Sequence, residues 1–166
     1  MFDWEESIYS KVTELLPEDA PFPRRKCIAT ISYYSTNLFY GIATSRSVTG
    51  ALHFLRKRLA YWHSKKQTTV EIATYRSEYS SVRTCVEQIL DLMTTLRYLG
   101  TPIKTKSFIF GNNRSAVDSS MTPHTKLHKR HDALSFYCPR EAIAAKIVGC
   151  YFIPREINPF DALSKH

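Results

Sequence analysis

A chain of 166 residues, 43% hydrophobic and 23% charged, has the length and balance of one globular domain with its own core. That balance excludes a disordered or low-complexity protein, and no apolar run is long enough to cross a bilayer. The net charge of +8 is uneven: residues 1–20 hold six acids and one base, and residues 21–166 hold 22 bases against 9 acids. No acid occurs between Asp19 and Glu71, nor between Asp91 and Asp118, a bias that suits a polyanion such as nucleic acid. A basic, soluble surface with no partner is the plainer alternative.

Residues 3–16 carry Trp4, Ile8, Val12, Leu15 and Leu16 at helical spacing. Pro17, Pro21 and Pro23 then make an extended connector, and Arg24-Arg25-Lys26 leads into the first strand, 27–34. Residues 1–26 therefore read as a helix with a proline-rich basic connector, and 27–166 as the domain proper. A loop is expected at 36–47 around Gly41. Strands are expected at 48–55 and 59–63, joined by the basic turn Arg56-Lys57-Arg58.

The strongest helix is 75–99. Tyr79, Val82, Val86, Ile89, Met93 and Leu96 make one apolar face, and Gly100 and Pro102 stop it. A buried strand at 106–110 ends at Gly111, and a short helix is expected at 113–120. A basic loop follows, with Lys126, Lys129, Arg130 and His131. A helix at 132–145 contains Pro139, which predicts a kink or break. A strand at 146–153 comes next. Asn158-Pro159 then has the composition of a helix start.

Cys27, Cys85, Cys138 and Cys150 form no C-x-x-C pair, and the histidines 124, 128 and 131 form no H-E-x-x-H motif, so a zinc site is not expected. The first residues lack the basic-then-apolar order of a signal peptide, so an intracellular protein with reduced thiols is expected. The two basic segments, Arg56-Lys57-Arg58 and 124–131, are candidate phosphate contacts, and two solvated turns are the alternative.

Five segments carry a resemblance. They are Arg46-Ser-Val-Thr-Gly-Ala-Leu-His-Phe54; Trp62-His-Ser-Lys-Lys-Gln67 with Thr69-Val-Glu-Ile-Ala-Thr-Tyr-Arg-Ser-Glu78; Gly111-Asn-Asn-Arg-Ser-Ala116; Lys129-Arg-His131; and Asn158-Pro-Phe-Asp-Ala-Leu-Ser-Lys165. In this order they resemble the ribonuclease H domain of copia-type LTR retroelement polyproteins. The resemblance implies an α/β fold: a five-stranded mixed sheet, its first three strands antiparallel, with helices on both faces. It also implies hydrolysis of RNA in RNA–DNA hybrids during reverse transcription. In that chemistry two Mg²⁺ ions are held by about four carboxylates.

Carried onto this chain, those four positions are Ser35, Glu78, Asn112 and Asp161. Glu78 and Asp161 are acids, the retained catalytic and metal positions. Ser35 and Asn112 are neutral, and Gly41 stands where the family has a further acid. A unit charge pair about 4 Å apart is worth roughly 4 kcal/mol at an effective dielectric of 20. Two missing charges are therefore enough to empty a Mg²⁺ pair. The resemblance thus implies a degenerate copy that keeps the fold and weak nucleic-acid affinity, with Mg²⁺ weakly held or absent. A residually active nuclease remains open. So does an interaction module recruited to a reverse transcriptase or another large assembly.

Overall fold

The computed structural model describes residues 30–37, 47–55, 58–67, 74–122, 133–155 and 158. Five strands form one mixed sheet: β1 (Thr30–Asn37), β2 (Val48–Leu55), β3 (Arg58–Lys66), β4 (Ser107–Gly111) and β5 (Val148–Phe152), in the order β3-β2-β1-β4-β5. The β1–β2 and β2–β3 pairs are antiparallel, and β1–β4 and β4–β5 are parallel. Three helices complete the described chain: α1 (Thr74–Tyr98), α2 (Arg114–Met121) and α3 (Ala133–Ala144).

Their apolar stripes explain the packing. Val82, Val86 and Ile89 of α1 meet Ala51, Ile109, Val148 and Cys150 of the sheet, with Val117 of α2 and Ala142 of α3 in the same cluster. The three described helices thus share one core with the sheet. Tyr79, Ala116 and Phe136 seal a second, smaller cluster between the helices. The terminal helices expected at 3–16 and from Pro159 lie outside the described residues, as do the connector before Cys27, Gly41 and the loop 124–131.

The element bounds depart from the sequence expectation in four places. β1 runs to Asn37, into the expected loop, because Thr36 and Asn37 pair with Thr49 and Val48. β3 extends past His63 to Lys66, since the ladder with β2 continues to Val48↔Lys66. α3 runs unbroken through Pro139, whose ring is among the most completely buried side chains; its burial offsets the missing donor. The last strand begins at Val148 rather than Lys146, because Lys146 takes a left-handed conformation (φ 59°) and caps α3. There Ile147 N donates to Ala142 O and Lys146 N to Ile143 O.

The end of α1 has the same double bond pattern. Thr101 N donates to Leu96 O and Gly100 N to Arg97 O, with Gly100 at φ 77°. Gly100 is thus the stop its sequence position predicts. Cys85, Cys138 and Cys150 are thiols rather than halves of disulfides, and burial pushes the Cys150 thiol up to about 12.

Behind β3, a groove of about 290 Å³ runs between the sheet edge and α1, lined in part by His53, Tyr61, Gln88, Asp91 and Leu92. His53 is buried, and its Nε2–H donates to Gln88 Oε1 at 2.8 Å. Burial is the larger cause holding its pKa below the ordinary 6.5; the hydrogen bond to Gln88 opposes the shift and nearby His63 adds to it. The unfolded chain therefore binds more protons than the folded one once the pH drops below about 6.5. Stability is expected to fall as the pH is taken from 7 to 5. His53→Gln should flatten that slope, as urea midpoints measured across the range will show.

The candidate active-site end of the sheet

β1 and β4 run parallel, with Tyr34 beside Gly111. The next residues, Ser35 and Asn112, stand together at the carboxyl ends of the two central strands. That is where open α/β sheets collect ligands and catalytic groups. Gly111 ends β4, and Asn113 turns the chain into α2. The Asn113 side chain accepts the Ala116 N–H at 3.1 Å, an N-cap that fixes the strand-to-helix turn carrying Asn112.

Glu78 lies near the start of α1. Its turn is tied to β2 by a buried polar network. Thr49 and Ser81 share a hydrogen bond of 2.9 Å between hydroxyls. Gln67 donates through Nε2 to Thr49 Oγ1 at 2.8 Å and to Ser77 O at 2.9 Å, and it accepts from Ser77 Oγ at 3.1 Å. The Gln67 backbone N–H in turn donates to Ser47 O at 2.7 Å. Thr49 is the register partner of Thr36, and Gly50 that of Ser35.

The register and this network bring Ser35, Asn112 and the Glu78 turn to one end of the sheet. Glu78 itself is only 4% exposed. A carboxylate that enclosed is far from the solvated charge usual on a helix. Asp161, the fourth position, lies outside the described residues, as do Arg56, Lys57, Lys126, Lys129, Arg130 and His131. Arg58 is described and exposed at the start of β3.

The Gln67–Thr49–Ser77–Ser81 network has no signature in the sequence. Gln67 closes one of the resembling segments without a role of its own, and isolated Ser and Thr carry no signal until packing brings them together.

The donor chemistry here is mostly neutral. Glu78 is a carboxylate, Asn112 offers an amide oxygen and Ser35 is a hydroxyl residue. Among the described residues no group of three or more His, Cys, Asp or Glu side chains could hold a metal ion. A pair of hard divalent cations needs several anionic oxygens, so the described donors do not fit one.

Comparison with solved structures bears on the architecture. The chain matches the N-terminal RNase H domain of a Mycobacterium tuberculosis protein, solved fused to maltose-binding protein, with TM-score 0.58 and 12% identity over 80% of this chain and 87% of that one. It shares a ribonuclease H fold. Halobacterium salinarum RNase H1 gives TM-score 0.53 at 8% identity, covering 78% of this chain and 89% of that one. LC11-RNase H1, isolated from compost by a metagenomic approach and solved with an RNA/DNA hybrid, gives 0.52 at 16%, covering 78% and 88%.

A foamy viral protease–reverse transcriptase, also solved with an RNA/DNA hybrid, gives 0.56 at 12% identity; the match covers 90% of this chain and 21% of that one. At these identities the likeness is one of ribonuclease H fold alone. No protein-family model matches the sequence, and no curated protein matches it. No described helix is long and apolar enough to cross a membrane.

Proposed function

We propose that this chain is a degenerate ribonuclease H-like domain of copia-type retroelement origin, which holds RNA–DNA hybrids weakly and cleaves them little or not at all. The observation that carries the reading is Asn112. It sits at the carboxyl end of β4, beside the end of β1, in a ribonuclease H fold. A carboxylate is required there for metal-assisted hydrolysis, and the chain supplies an amide. Ser35 repeats the loss on the neighbouring strand, while Glu78 and Asp161 remain as the retained acids. Two similar folds were solved with RNA/DNA hybrids, which supports a hybrid as the ligand. One of them is a module within a reverse transcriptase, which supports the same setting for this chain.

Hybrid affinity in this reading is electrostatic. Arg56, Lys57, Arg58, Lys126, Lys129, Arg130 and His131 contact phosphates, without reading sequence. The experiment is a labelled RNA–DNA hybrid titrated at several salt concentrations and then incubated with Mg²⁺ or Mn²⁺. Binding that weakens steeply with salt, and no product over hours, is the expected result. Product would make the chain an active nuclease. Absence of binding at low salt would make it an interaction module.

A further inference from the structure

The edge strand β3 is built unlike the rest of the sheet. Within the described sheet it pairs only with β2, and eight of its nine residues are exposed, His63 being half-buried. Edge strands are usually defended with charge against further pairing, and large apolar groups are kept off them. Here Trp62 is 65% exposed, Tyr61 is 48% exposed, and Arg58, Lys65 and Lys66 flank them in the open.

The register sorts these side chains by face. Trp62 is opposite Leu52 and Lys66 opposite Val48, so the two share one face of β3. Four residue steps along the strand set them roughly 13 Å apart. Tyr61 lies on the other face, its ring 5.7 Å from that of His53. The Trp62 ring therefore stands over solvent with Lys66 further along the same face, while Lys65 lies on the face of Tyr61.

The charge of the sequence around β3 has one sign, and the acid nearest in the structure, Asp91, lines the groove on the Tyr61 side. From Ala20 to Val70 the sequence has nine Lys and Arg residues and no acid. An exposed indole on a strand whose charged residues are all cations suits a ligand that is flat and apolar at intervals along an anionic backbone. An unpaired nucleotide strand has that chemistry: its bases stack on aromatic rings and its phosphates meet lysines. A base-paired duplex keeps its bases stacked on one another and offers no such face.

We propose that the exposed face of β3 is a platform for single-stranded nucleic acid, with Trp62 stacking on a base and Lys66 holding a flanking phosphate. The site goes beyond the hybrid reading, because β3 is separated from β1 and its Ser35 by β2.

The test uses the full chain carrying Trp4→Phe, so that Trp62 is its sole tryptophan. Its emission is titrated with oligo(dT) and with oligo(rU) at low salt. Quenching is expected, and the two arms show whether DNA, RNA or both are taken. Trp62→Ala, read by fluorescence anisotropy of the labelled oligonucleotide, should weaken binding by about tenfold or more, and Trp62→Phe should recover most of it. Lys66→Ala should make the log–log salt dependence shallower by about 0.7, and Lys65→Ala, on the opposite face, should leave it nearly unchanged.

Unchanged Trp62 emission at saturation, or equal affinity in Trp62→Ala, would overturn the proposal. So would a chain that ignores both oligonucleotides but dimerises through β3, with Trp62→Ala abolishing the dimer. Loss of hybrid binding with single-strand binding intact would count against the hybrid reading only.

Discussion

Hybrid cleavage is expected to appear when Asn112→Asp is combined with an acid at the end of β1. The gain should run from no product to measurable Mg²⁺-dependent product, and each single variant should stay silent. The physical reason is charge. In the proposed site each added carboxylate would supply an anionic oxygen where hard cations need one, and Glu78, the acid the resemblance assigns there, is itself enclosed. The resemblance nominates Ser35→Asp for the second change. The register adds Thr36→Asp as a parallel arm, because Thr36, not Ser35, pairs with the Thr49 that is bonded to α1. Gel-resolved cleavage of an end-labelled hybrid reads the outcome. Silence in both double variants would mean that these strand ends do not form one metal site.

Ile109→Ala is expected to destabilise the fold by about 3–4 kcal/mol. Ile109 is fully buried in β4, in one cluster with Val82, Val86 and Ile89 of α1 and Val148 and Cys150 of β5. Truncation there leaves a void bounded by a helix and a strand that cannot both move in. Ile109→Val, which removes one methylene, should cost about 1 kcal/mol. Urea denaturation should show a lower midpoint with an unchanged slope. A loss under about 1 kcal/mol for the alanine variant would mean that β4 is not the centre of the core.

The core is far more legible in the sequence than the site's setting. The three- and four-residue spacing of Val82, Val86 and Ile89 is enough to give α1 its buried face, and Gly100 gives its end. Asn112 is legible as the residue after a buried strand. Three features are not. Asn37 is a poor strand former, and with the β-branched Thr36 before it joins β1 because β2 offers partners. Pro139 reads as a breaker, since local rules cannot know that its ring will be buried. The Gln67 network depends on side chains from β2, α1 and the end of β3 meeting in space, and no periodicity announces that.

The mixed order of the sheet bears on how the chain acquires its shape. β2 and β3 are neighbours in sequence and can zip together early, whereas β1 must wait for β4, which follows the whole of α1. Closing that long loop is entropically slow, and it is the step that sets Ser35 beside Asn112. On the ribosome, the hairpin bearing Trp62 is thus complete while β4, and with it the pairing that sets Ser35 beside Asn112, does not yet exist.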